Sequence, residues 1–161
     1  MNGKLLLATL ALTLTTGLHA AGDEHHHHHG HSHGEAAPAK LQLNAGKQWA
    51  TDAPLRQTMN EINQAMGKAL PLIHGNRFSD GDYQALAATV SQKVAHAVEH
   101  CKLDAKADAM LHLVIADLLA SAEVMEGKAG TPRHDGAVQV MQALKSYGKY
   151  FRHPGWKLAQ G

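Results

Sequence analysis

From Trp49 onward, apolar residues recur three or four positions apart, the period of an α-helix with one buried face. Four such stretches follow one another, each bounded by capping or breaking residues. In the first, Leu55, Met59, Ile62, Met66 and Ala69 share a face and predict a helix over Ala53–Leu70. Thr51 or Asp52 can cap it, Pro54 suits its first turn, and Pro71 and Gly75 end or kink it. The second runs over Asp80–His100, with Tyr83, Leu86, Val90, Val94, Ala97 and Cys101 in one stripe and Ser79 and Asp82 as a capping box. The third runs over Ala105–Glu126 after the cap Asp104, burying Ala107, Met110, Val114, Leu118, Ser121 and Met125, and Gly127 stops it. The fourth runs over Pro132–Phe151 after Thr131, burying Val138, Met141, Leu144, Tyr147 and Phe151, until the segment His-Pro-Gly-Trp at 153–156 breaks it.

Four amphipathic helices with short connections predict an all-α fold, an antiparallel up-down-up-down four-helix bundle over residues 46–156. Residues 157–161 form a C-terminal tail. Before Trp49 the pattern disappears. Residues 21–45 carry Gly, His, Glu, Ala and Pro38 without apolar periodicity, which predicts a disordered, His-rich N-terminal tail. Ahead of it, Lys4 and the apolar run Leu5–Leu18 have the form of a cleavable signal peptide over residues 1–20. The run is too short for a membrane helix, which needs roughly 20 apolar residues. The expectation is export to the periplasm, with no membrane attachment once the signal is removed.

Composition supports this reading and excludes others. Aromatic residues are only 4% of the 161, too few for a typical β-sandwich core. Basic and acidic groups number 15 and 14 with no basic stripe, so nucleic acid is not an expected partner. No G-x-S-x-G, H-E-x-x-H or glycine-rich phosphate loop occurs, and no enzyme activity is expected.

The unusual residue is histidine, of which there are 14. Seven fall within nine positions: His25, His26, His27, His28, His29, His31 and His33. Gly30 and Ser32 interrupt the run, unlike a purification block. Neutral imidazoles ligate Zn²⁺, Cu²⁺ and Ni²⁺, and a flexible chain can gather several around one ion. Protons compete for the same nitrogens below a pH of about 6.5. Zinc is the first expectation, with copper (Cu²⁺ or Cu⁺) or nickel next. A solvated tail without a ligand is the alternative.

A secondary set lies on the helices. His96 and His100 are one turn apart and can share a divalent ion, or stand as two surface histidines. Cys101 is the only cysteine, so it forms no internal disulfide. It is either an inert buried thiol or, with His100 or His112, a thiolate–imidazole site for Cu⁺ or Zn²⁺. Met59, Met66, Met110, Met125 and Met141 are core fillers that could instead hold Cu⁺. No haem is expected, because no CxxCH occurs and the fourth helix carries no inward histidine.

The segments WATDAPLRQTM (49–59), HCKLDAKADAMLHLVIADLL (100–119) and YGKYFRHPGW (147–156) resemble a family of small exported bacterial proteins with a His-rich leader and a helical bundle. The resemblance implies a periplasmic bundle concerned with metal handling, and no particular reaction. Trp49, Asp52, Arg56, Cys101, His112, His153 and Trp156 are the positions that match. Asp52 and Arg56, one turn apart, suggest a local ion pair. Together these readings describe a metallochaperone or metal buffer whose partners are the ion and an envelope metal transporter or metalloprotein. The alternatives are a non-metal periplasmic adaptor bundle and a haem carrier resembling cytochrome b562.

Overall fold

The structure, a computed structural model, describes residues 40–161; the expected signal peptide and the histidine run His25–His33 lie outside the described residues. Among the described residues the fold is all-helical. It consists of four helices, α1 (Ala53–His74), α2 (Asp80–His100), α3 (Ala105–Met125) and α4 (Arg133–Tyr150). They pack around a core of Leu55, Met59, Ile62, Met66, Val90, Val94, Leu118, Met125, Leu144, Tyr147 and Phe151. None of the four is long and apolar enough to cross a membrane.

Three helix starts are capped as the sequence predicts. The Asp52 carboxylate accepts from Leu55 N, and Asp104 accepts from Lys106 N and Ala107 N. Ser79 and Asp82 form the reciprocal capping box. The fourth start differs. Pro132, not Thr131, holds the cap position and makes no side-chain cap bond. The end of α1 differs too, because the helix continues through Pro71 to His74. Burial of Ile73 offsets the lost backbone bond, since each term is about 2–3 kcal/mol. Asn76 then turns into the left-handed region at φ 51° and the chain leaves the helix.

The inward face of α4 is rotated from the expected one. Val138 is 41% exposed, whereas Ala137, Val140, Ala143, Leu144 and Tyr147 are buried. Small residues lead this face because α3 passes close by. A Cβ on Gly136 would stand 2.6 Å from the carbonyl oxygen of Ser121. Met110, Met141 and Cys101 are half-buried, not core.

Order begins before Trp49, within the segment assigned to the tail. Leu41 packs against the core, and the Trp49 indole Nε1 donates to the Gln42 carbonyl at 2.7 Å. Trp49 then pairs in parallel with Phe151: Trp49 N donates to Tyr150 O at 2.9 Å and Arg152 N donates to Trp49 O at 2.8 Å. Gln48 Nε2 donates to the carbonyls of Gly148 (3.0 Å) and Lys149 (3.3 Å). The last carbonyls of α4, which lack intrahelical partners, are satisfied by this segment. The C-terminal residues 157–161 run along α1. Asn63 holds them through Lys157 O at 2.9 Å and Ala159 N at 2.8 Å.

Candidate functional site

Most of the positions carried by the three sequence segments converge where the start of α1, the end of α2 and the end of α4 meet. Asp52 ties these elements together. One carboxylate oxygen caps α1 at Leu55 N (2.9 Å), and the other accepts from Lys102 N (2.6 Å), just past α2. Cys101 is the C-cap residue of α2. Burial first, then the charge and hydrogen bond of Asp52 and the charge of Asp108, push its thiol up to about 12. Without a metal ion, Cys101 is therefore a thiol at neutral pH.

The ion pair expected between Asp52 and Arg56 does not form. Asp52 is committed to two backbone N–H groups, and Arg56 turns toward Thr51. Its Nη1 donates to Thr51 O (2.6 Å) and Thr51 Oγ1 (3.2 Å). Thr51 Oγ1 in turn donates to Arg152 O at 2.6 Å. Arg56, Arg152 and His153 thus face one open cleft of about 530 Å³, with Thr51, Asn60 and Pro154 completing its lining.

Tyr147 orients the histidine. Its hydroxyl lies 2.9 Å from His153 Nδ1, and Trp156 stands edge-on to the Tyr147 ring with centroids 5.0 Å apart. Burial pushes the Tyr147 hydroxyl well above the usual phenol range against the pull of Arg56, so it stays protonated, and among the described residues its proton has no acceptor other than His153 Nδ1. His153 Nδ1 is then the acceptor, which leaves the ring proton on Nε2. Burial, with Arg56 next in effect, lowers the pKa of His153, so the ring is neutral at pH 7. Gly148 is required beneath this arrangement. A Cβ there would stand 2.6 Å from Cδ1 of Trp156.

The secondary metal candidates are only partly brought together. His96 and His100 stack, with centroids 4.2 Å apart and planes 16° from parallel. His100 Nδ1 lies 2.9 Å from the carbonyl of His96, and His112 Nδ1 lies 2.9 Å from that of Asp108. A carbonyl only accepts, so both Nδ1 atoms carry the proton and both Nε2 lone pairs are open to an ion. His96 Nδ1 faces Thr58 Oγ1 at 3.5 Å. Cys101 and His112 do not complete the pair: among the described residues no three His, Cys, Asp or Glu side chains are gathered to hold an ion. Met59, Met66 and Met125 are fully enclosed in the apolar core, whereas His112 is exposed.

Asn60, Arg152 and Tyr147 were not legible as site residues. Tyr147 has the spacing of a core residue, and Arg152 and Asn60 lie in no motif of known chemistry. No protein-family model, no curated protein and no solved structure matches the chain.

Proposed function

We propose that the chain is a periplasmic divalent-metal-binding protein that buffers an ion or delivers it to an envelope partner. The observation that carries this reading is the density of imidazole in His25–His33, seven rings in nine positions. Such a run offers several alternative ligand sets, which permits fast capture and release by exchange of one ring for another. Zinc is the first candidate, with copper or nickel next. No catalytic step is proposed, and the ion is the cargo.

The helical domain serves as the docking part, and its helices run up-down-up-down. Two sets of contacts support that course. Asp52 joins the start of α1 to the end of α2, and Trp49 joins it to the end of α4. Arg133 joins the start of α4 to the end of α3 and the start of α2 through Met125 O and Asp80. The stacked pair His96 and His100 forms a weaker second site, since two imidazoles alone leave an ion's remaining positions to water.

The test is calorimetric titration of the chain from Ala21 onward with Zn²⁺ and with Cu²⁺, beside a variant lacking residues 23–35. Binding of ions by the first and not the second is the expected result. Equal binding by both would move the site to His96, His100 and His112. Absence of binding in both would end the metal reading.

A further inference from the structure

Nitrogen donors without acidic partners line the cleft beside the start of α1. Arg56 commits only Nη1, to Thr51, which leaves its Nε and Nη2 without a partner among the described residues. The guanidinium of Arg152 and the amide of Asn60 also make no hydrogen bond or ion pair among the described residues, and both side chains are exposed. His153 adds an Nε2–H, its other nitrogen being taken by Tyr147. Among the described residues no Asp or Glu lines the cleft. The nearby carboxylate of Asp52 is turned away, onto Leu55 N and Lys102 N.

We infer that this cleft binds a small oxyanion, a phosphate or a carboxylate, between the guanidinium groups of Arg56 and Arg152 with His153 as a third donor. Planar guanidinium groups present paired N–H donors that match two oxygens of one anion, and bonds of this kind are stronger than neutral ones. Thr51 holds Arg56 in place, so less side-chain freedom is lost when an anion arrives. The field has the right sign. The charge of Arg56 bears on His153 and opposes a further positive charge there. The start of α1 adds the positive end of a helix dipole. The carbonyls that close α4 have little pull to set against it, because Gln48, Trp49 and Thr51 already donate to that segment. The inference does not rest on the metal reading, since none of these residues belongs to the histidine run.

The test uses the full chain without metal at pH 7.5, above the ordinary imidazole range. Inorganic phosphate and acetate are titrated separately while amide and imidazole NMR shifts are followed. Saturable shifts at Asn60, Arg152 and His153 are expected, with a Kd of about a millimolar or tighter for at least one of the two. The tighter probe identifies the anion class. Arg152→Gln, which replaces an exposed side chain and leaves the fold undisturbed, weakens binding by about tenfold. Arg56→Gln has a similar effect, checked for folding by circular dichroism. Arg77→Gln, an equal loss of charge outside the cleft, changes nothing. Shifts that do not saturate, that concentrate in residues 25–33, or that persist unchanged in Arg152→Gln would overturn the inference.

Discussion

Arg133 and Arg152 flank the two ends of α4, and they are used in opposite ways. Arg133 is half-buried between three elements: its Nη1 donates to Met125 O at 2.6 Å and its Nε lies 3.4 Å from Asp80 Oδ2. Gly127, at φ 82°, leaves room for that guanidinium. At the opposite end the same problem, unpaired carbonyls where a helix stops, is solved by backbone pairing through Trp49 and by the amide of Gln48. No arginine is needed there, yet Arg152 and Arg56 stand at that end with donors to spare. A cation that closes a helix end and meets an acid is structural. Cations kept apart from any acid beside a cleft are where a ligand is to be sought.

The junction at Asp52 is the strongest way to break this contrast. Asp52→Ala removes an N-cap and the tie to Lys102, and a loss of about 2 kcal/mol is expected in urea unfolding. Ser79→Ala, a cap without a second element attached, loses about 1 kcal/mol by comparison. The same Asp52→Ala change takes away two of the influences that hold the Cys101 thiol at about 12. Its pKa falls, and reaction with a disulfide probe at alkaline pH accelerates; an unchanged rate would assign the shift to burial and the charge of Asp108.

A direct comparison of the arginines comes next. Arg133→Gln is expected to cost about 1 kcal/mol, mainly through the bond to Met125 O, because Asp80 is largely exposed. Arg152→Gln is expected to stay within about 0.5 kcal/mol of the parent. Equal losses in thermal unfolding would erase the distinction between a structural and an available arginine.

The smallest effect is a pH dependence at His153. Burial and Arg56 lower its folded pKa below the unfolded value, with Tyr147 as its neutral hydrogen-bond partner. The unfolded chain therefore binds the proton first. The stability from this group is complete above about pH 6.5 and is lost as pH falls through the window down to the lowered pKa. Melting temperatures measured over that range are expected to slope less steeply in His153→Gln than in the parent, the other histidines contributing alike to both. Parallel slopes would place His153 in a solvent-like setting.

Local chemistry made much of the fold legible. Asp52, Ser79 and Asp104 announced three helix starts, because a cap acts within one turn. The start of α4 was misplaced by one residue, since Pro132 caps without a side-chain bond and the closing contact comes from Arg133. The face of α4 was misjudged for a related reason. Val138 and Val140 are equally apolar, and the choice between them falls to Gly136 and Ala137, small residues that carry little hydrophobic signal. Asp52 and Arg56 had the spacing of an ion pair, but Lys102, 50 residues away, claimed the carboxylate.

By itself the sequence determined four amphipathic helices, most of their ends, and a run of imidazoles outside any helical period. Each of these depends on residues within about one turn of each other, where spacing along the chain is spacing in space. Only the tertiary structure decided that Thr51 meets Arg152, 101 residues on, and that Tyr147 orients His153. It also placed Arg56 and Arg152 on one cleft that, among the described residues, no acid lines. Those juxtapositions depend on where packed helices bring their ends, and no periodicity in the chain encodes that distance.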